Sequence, residues 1–218
     1  MKTKRLLTNT DRIIFRNAFL KNNGTSIKTD YLQNSEVWGC YLNDHLVAGF
    51  IINRTLPLRY LEHFSEAFGQ ELLRSHQLNN VTEVTCIWHA RDRPFPVFAK
   101  AELYLQSVLK AVTWQSWLAN TTILGGSFEA KVARRQRTLL CHLLFQETIE
   151  VNGQLKNAQL YYAHAQLVVF RFPIAISRML IEEIKKSLST RIQQLQKQWR
   201  QLIFNFLTKS RKVTPKNS

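Results

Sequence analysis

The sequence predicts an α/β protein: a mixed, mostly antiparallel sheet flanked by helices, followed by a long basic helix. Three observations carry this. Two pairs of β-rich runs, 36–53 and 143–172, each flank a short polar turn, which is the pattern of a hairpin. A buried strand built from Val81, Val84, Cys86, Ile87 and Trp88 meets a proline bend and then a helical pattern. Finally, Ile181, Ile184, Leu188, Ile192, Leu195, Trp199, Leu202 and Phe206 recur at spacings of 3, 4, 4, 3, 4, 3 and 4, a narrow helical seam.

In chain order, residues 1–7 read as a basic lead-in. Thr8 or Thr10 can cap a helix running to about Lys21, and Asn22-Asn23-Gly24 ends it through the left-handed conformation these residues tolerate. Residues 25–35 read as a polar connection. Glu36–Leu42 and Leu46–Asn53 form the first hairpin around Asn43-Asp44-His45, with Gly39 and Gly49 marking bulges or close backbone approach. Residues 58–77 read as one helix on the spacing of Leu58, Leu61, Phe64, Phe68 and Leu72. The strand from Val81 is stopped by His89–Pro96, because neither Pro94 nor Pro96 can donate to a ladder. A long helix follows from Val97 to Leu118. Thr121–Leu124 reads as a strand ended by Gly125-Gly126-Ser127, and Phe128–His142 as a helix. The second hairpin joins Leu143–Val151 to Ala158–Phe172 around Asn152-Gly153, with Pro173 as its stop. The last helix runs from Ile174 to about Leu207, and SRKVTPKNS reads as a frayed tail. Two regions result: 1–172 and a basic appendage, 173–218.

Charge is the unusual feature. Thirty Lys+Arg stand against 15 Asp+Glu, a net +15, which predicts an acidic partner surface. Eleven of the basic residues lie from Arg171 onward, opposed only by Glu182 and Glu183, so the chain from Arg171 onward carries about +9 of the total. Three separated cysteines in apolar settings read as reduced core residues of a cytoplasmic protein. No apolar run reaches the length of a membrane span, and no secretory signal is recognisable. The six histidines never approach one another or a cysteine at metal-ligand spacing, so no metal is expected.

Written as elements, the order is helix, hairpin, helix, strand, helix, strand, helix, hairpin, extra helix. Over roughly residues 8–172 this resembles the GCN5-related N-acetyltransferase (GNAT) fold. EVWGCYLNDHLVAGFII is similar to that family's paired second and third strands, and TTILGGSFEAKVARRQ to its fifth strand entering its fourth helix. GFIINRTLPLRYLEHF followed by EVTCIWHARDR resembles the branch that uses acyl carrier protein, which includes N-acyl amino acid synthases and autoinducer synthases. The resemblance implies acyl transfer from a thioester, carried by coenzyme A or an acyl carrier protein, to an amine. Two departures stand out. Where the family has a glycine-rich pyrophosphate loop, this chain has Arg91-Asp92-Arg93-Pro94-Phe95-Pro96, which lacks glycine and loses two N–H donors. The family's tyrosine acid has no counterpart between Phe128 and His142.

If acyl transfer operates, Glu83 and His89 are the candidate bases. An apolar strand would raise the pKa of Glu83, although a solvent-facing glutamate at a strand start reads equally from the sequence. The alternative for His89 is a hydrogen-bonded structural role. Arg91, Arg93 and Lys100 cluster where a strand, a bend and a helix N-terminus commonly hold an anion; the same pattern also fits an ordinary connection with solvated arginines. Ser127 reads as a helix cap or a ligand contact. Three function classes remain: an acyltransferase, served by an acidic carrier protein; a non-catalytic module that docks through its basic C-terminal helix; and a nucleic-acid binder using the basic tail. Self-association through that helix is also compatible with its seam.

Overall fold

The computed structural model describes residues 1–210 except Asn79, Arg93, Pro94 and Asn152, with side chains left aside for Val97, Lys186, Ser187 and 204–210. The Asn152 half of the second turn, and all but the first residue of the tail SRKVTPKNS, therefore lie outside the described residues. The chain divides into two compact units, Met1–Met179 and Leu180–Ser218.

The first unit is built on one seven-stranded sheet of order β1-β2-β3-β4-β5-β7-β6. Its strands are β1 (Lys2–Arg5), β2 (Glu36–Leu42), β3 (His45–Asn53), β4 (Val81–His89), β5 (Thr122–Ser127), β6 (His142–Val151) and β7 (Gln154–His164). Every neighbouring pair is antiparallel except β4 and β5, which run parallel. Helices α1 (Asn9–Asn23), α2 (Thr29–Gln33) and α3 (Glu66–Ser75) precede β4. Helices α4 (Val97–Ala111) and α5 (Trp114–Leu118) lie between β4 and β5, α6 (Ala130–Leu139) follows β5, and α7 spans Ala165–Ser210.

Local chemistry explains the clear boundaries. The Thr8 hydroxyl accepts from the Asp11 N–H to cap α1, and Gly24 closes it at φ 71°. Asn43 and Asp44 both take positive φ, 48° and 60°, so the first hairpin turns in two residues and β3 starts at His45. Gly49 is required by close approach: a Cβ there would stand 2.5 Å from the Trp38 carbonyl oxygen.

Each sheet face has its own core. One packs Phe50, Ile52, Val84 and Ile123 with Leu103 of α4 and Ala133 of α6. On another, Phe15 and Phe19 of α1 and Tyr31 of α2 meet Val37, Ile51 and Trp88. A third cluster joins Leu124, Leu144 and Leu160 to Leu58 and to Leu72 of α3.

Several boundaries differ from the sequence reading. Residues 2–5 form an edge strand on β2, and 25–35 contain α2, of which Tyr31 and Leu32 are buried. The expected helix 58–77 is a 3₁₀ turn at Arg59–Leu61 and then α3, because the Ser65 hydroxyl accepts from the Phe68 N–H and starts a new helix. The helix expected at 97–118 breaks at Val112, and the Thr113 side chain caps α5. The strand expected to reach Phe172 ends at His164. Its partner β5 begins at Thr122, paired with His164, so no ladder remains to extend. The β-branched run Leu167–Phe172 continues as helix, and Pro173 lies inside α7 instead of stopping a strand. Among the described residues, no helix is long and apolar enough to cross a membrane.

Candidate functional site

The sheet opens beside β4. Pairing with β5 covers only Val81, Thr82 and Glu83 against Thr122, Ile123 and Leu124, yet β4 continues to His89 and β5 to Ser127. The cause is local. On the β3 side, Gly49 pairs with Trp88 and Ile51 with Thr85, so Cys86 and Ile87 together oppose Phe50. This is a bulge, and Cys86 holds it at φ 51°, a conformation rare for a non-glycine residue. A bulged strand bends, and here it bends just past the last β5 pair. The β4 edge from Val84 onward therefore has no ladder partner on the β5 side.

The apex of this splay is filled from outside the sheet. The Tyr60 hydroxyl donates to the Val84 carbonyl at 3.1 Å, and the Gly126 backbone on β5 lies close enough to offset part of the rise in the phenol's pKa. One side chain thus serves both strand edges where the ladder stops. Burial, with Glu83 next, pushes the phenol of Tyr60 well above its ordinary range, so it remains a protonated donor. Gly126 gives it room: a Cβ there would stand 3.3 Å from the Tyr60 ring and 2.4 Å from Leu160.

Tyr60 is positioned by Glu83. That carboxylate is fully buried and accepts three hydrogen bonds, from the Tyr31 hydroxyl at 2.6 Å, the Arg59 N–H at 3.0 Å and the Tyr60 N–H at 2.7 Å. Burial raises its pKa, and those three donors together with the Arg59 charge hold the rise back. The burial expected from an apolar strand is present. The partners show a carboxylate that anchors the 3₁₀ turn.

Beyond that turn the chain places Glu62 and His63. His63 Nε2 lies 3.7 Å from Glu62 Oε1, and Glu62 also meets Lys28 at 3.4 Å. The His63 ring packs edge-on to Phe128, with centroids 5.6 Å apart, just past the end of β5. Burial lowers the His63 pKa, against the pull of Glu62, so the imidazole is neutral at pH 7. Its side chain keeps 26% of its surface exposed, enough to meet a ligand.

The other predicted residues are dispersed. His89 is six residues along β4 from Glu83, about 20 Å at strand rise. Its ring stacks on Phe95 at 4.8 Å, and Nδ1 lies 3.1 Å from the Ala90 carbonyl. Arg91 is exposed, and its backbone N–H donates to Asn22 Oδ1. Arg93 lies outside the described residues. Lys100 is half-buried on α4. The Ser127 hydroxyl accepts from the Glu129 N–H at 3.0 Å, a turn leading into α6. Glu83 and His89 therefore do not converge on one point. The sequence reading missed Tyr60, Glu62 and His63 by placing them in a helix. The signal was there in Pro57 and in Ser65 as a cap, which bracket a short non-helical segment.

A cavity of about 640 Å³ opens elsewhere, lined by residues including Trp38, Arg54, Thr82, Lys110 and Ser116. Arg54 is committed there to structure. It pairs with Glu36 and donates to the Lys110 and Ala111 carbonyls at the end of α4.

No family model and no curated protein matches the chain. Solved structures do. FeeM, an N-acyl amino acid synthase from uncultured soil microbes, aligns with a TM-score of 0.58 at 13% identity, covering 80% of this chain and 96% of that one. An N-acetyltransferase from Staphylococcus aureus Mu50 aligns with a TM-score of 0.48 at 12% identity, covering 75% and 97%. A Bacillus subtilis acetyltransferase in complex with CoA gives 0.42 at 17%, covering 75% and 97%. The fold is GNAT-like.

Proposed function

We propose that the chain transfers an acyl group from a thioester to an amine, with the thioester lying along the unpaired edge of β4. The observation that supports this most is the splay itself: a GNAT-like sheet whose fourth strand is bulged at Cys86 and stripped of its β5 partner beyond Glu83. Free backbone N–H groups on that edge are suitable donors to a thioester carbonyl and to the oxyanion formed from it.

The chemistry needs few groups. The amine nitrogen attacks the thioester carbonyl, a C–N bond forms and the C–S bond breaks. The amine proton passes to His63, whose neutral imidazole is available at pH 7 and whose cationic form Glu62 stabilises. The imidazolium then returns the proton to the leaving thiolate. Glu83 is a positioning residue in this reading, since all its contacts fix Tyr31, Arg59 and Tyr60. Tyr60 bounds the splay at its apex.

The favoured donor is an acyl carrier protein. Its pantetheine arm carries a single phosphodiester, so it has no use for the glycine loop that Arg91–Pro96 lacks. The basic chain, at +15, complements an acidic carrier. FeeM, of like fold, is an N-acyl amino acid synthase. Acyl-CoA remains the donor to compare. A second reading, a non-catalytic assembly module, draws on Tyr60 filling the splay apex.

Native mass spectrometry and thermal shift with acetyl-CoA, a long-chain acyl-CoA and an acylated carrier protein separate these readings. A bound mass with a raised melting temperature, followed by amide product when amines are added, supports acyl transfer. No donor binding in any of the three would leave the assembly module.

A further inference from the structure

The second unit carries a surface that acyl transfer does not use. On α7, Ile181, Ile184, Leu188, Ile192, Leu195, Trp199, Leu202 and Ile203 are each between 46% and 65% exposed. At 3.6 residues per turn they share one stripe. Eight large apolar side chains exposed to this degree leave on the order of 800 Å² open, about what one partner contributes to a standard protein interface. Isolated exposed apolar residues are ordinary, but a continuous stripe of this size marks a contact surface.

We propose that this stripe pairs with the same stripe of a second copy, in parallel and in register, as a two-stranded coiled coil. The spacing argues for a helix as the occupant. Ile181 to Ile192 forms one 11-residue repeat, and from Ile192 the pattern is heptad, with Ile192 and Trp199 at a and Leu195 and Leu202 at d. Ile192 at a over Leu195 at d is the combination that favours two parallel strands. Charge argues for a second copy. An anionic bilayer or an acidic protein lying on the stripe would be met by basic residues along both of its edges. Here the edges hold Lys185 and Arg191 but also Gln196 and Gln198, while Lys197 projects from the opposite side and Arg200 a third of a turn away. In a parallel pair Arg191 faces Gln196 of the other helix and Gln198 faces Ile203, so from Arg191 to Ile203 no like charges are forced together across the seam.

Sedimentation of the full chain from micromolar to tenth-millimolar concentration tests this. The expected result is a dimer of the 25.5 kDa chain. The double variant Leu195→Asp with Leu202→Asp should be monomeric, with the main melting transition of the first unit unmoved. Leu195→Cys in a Cys141→Ser background should form a covalent dimer on mild oxidation, because d positions meet only in a parallel, in-register pair. A monomer throughout the range would overturn the proposal. So would a dimer that survives the aspartates, a dimer in which the Leu195→Cys thiols fail to join, or a monomer whose stripe binds anionic vesicles.

Discussion

Glu83 holds three donors from segments that the sequence keeps apart: Tyr31, Arg59 and Tyr60. Its burial was legible from the apolar strand around it; its partners were not, because nothing local pairs residues 23 to 52 positions apart. Glu83→Gln should lower unfolding free energy by about 2–4 kcal/mol, since an amide cannot accept all three bonds without setting its own N–H₂ against a donor. Urea unfolding reads that loss. The pH dependence has a definite sign. A carboxyl pKa raised in the folded state means the native protein binds the extra proton, so its contribution is fullest below the ordinary value of 4.5 and is lost as pH rises through the folded value. The stability difference between the native chain and Glu83→Gln should shrink over that rise. His63 is the opposite case. Its pKa falls below 6.5 on folding, so kcat/KM for acylation, referred to the unprotonated amine, should climb with pH in a limb lying below 6.5 and then level. His63→Ala should remove that limb and lower kcat/KM by about 10²–10⁴-fold. A variant that kept the limb would assign the base elsewhere.

Strands and hairpins were the most legible elements, since Asn43-Asp44 and the alternating runs are set by neighbours in sequence. Helix limits were less so. Leu58, Leu61 and Phe64 keep helical spacing, yet only a 3₁₀ turn forms at Arg59–Leu61, its first N–H groups held by Glu83, and Ser65 caps a separate helix. Leu167–Phe172 has strand composition, and only the position of Thr122 decides that the ladder has ended. The splay shows the same dependence: Cys86 looks like any core cysteine until the register on β3 reveals the bulge. Two substitutions test how firmly Tyr60 joins the two edges. Tyr60→Phe leaves the Val84 carbonyl without its donor and should cost about 1–2 kcal/mol. Gly126→Ala drives a methyl into Leu160 and toward the Tyr60 ring, and should cost about 1–3 kcal/mol by overpacking. Thermal melts of both, with the double variant, measure the coupling; additive losses would mean that Tyr60 and Gly126 act separately.

At the scale of the whole molecule, the sequence states the charge plainly and leaves its use open. A net +15 is a long-range attraction for any acidic partner, while the site proposed for the reacting carbonyl is made of backbone and short contacts. These two contributions respond differently to salt. If the donor is an acidic carrier protein, its encounter with the chain is steered by charges separated by more than the ~8 Å screening length of physiological salt, and kcat/KM should fall steeply as ionic strength rises. The fall should appear in KM and the association rate, with kcat nearly constant, because chemistry follows docking. The same acyl group presented on a short pantetheine thioester lacks the carrier's surface charge and should show a nearly flat salt profile at the same site. Stopped-flow measurements of both donors across a salt series make the comparison within one protein. Parallel, shallow profiles would separate the basic surface from the acyl donor and assign it to another partner, nucleic acid among them, whose binding would then fall linearly in log salt.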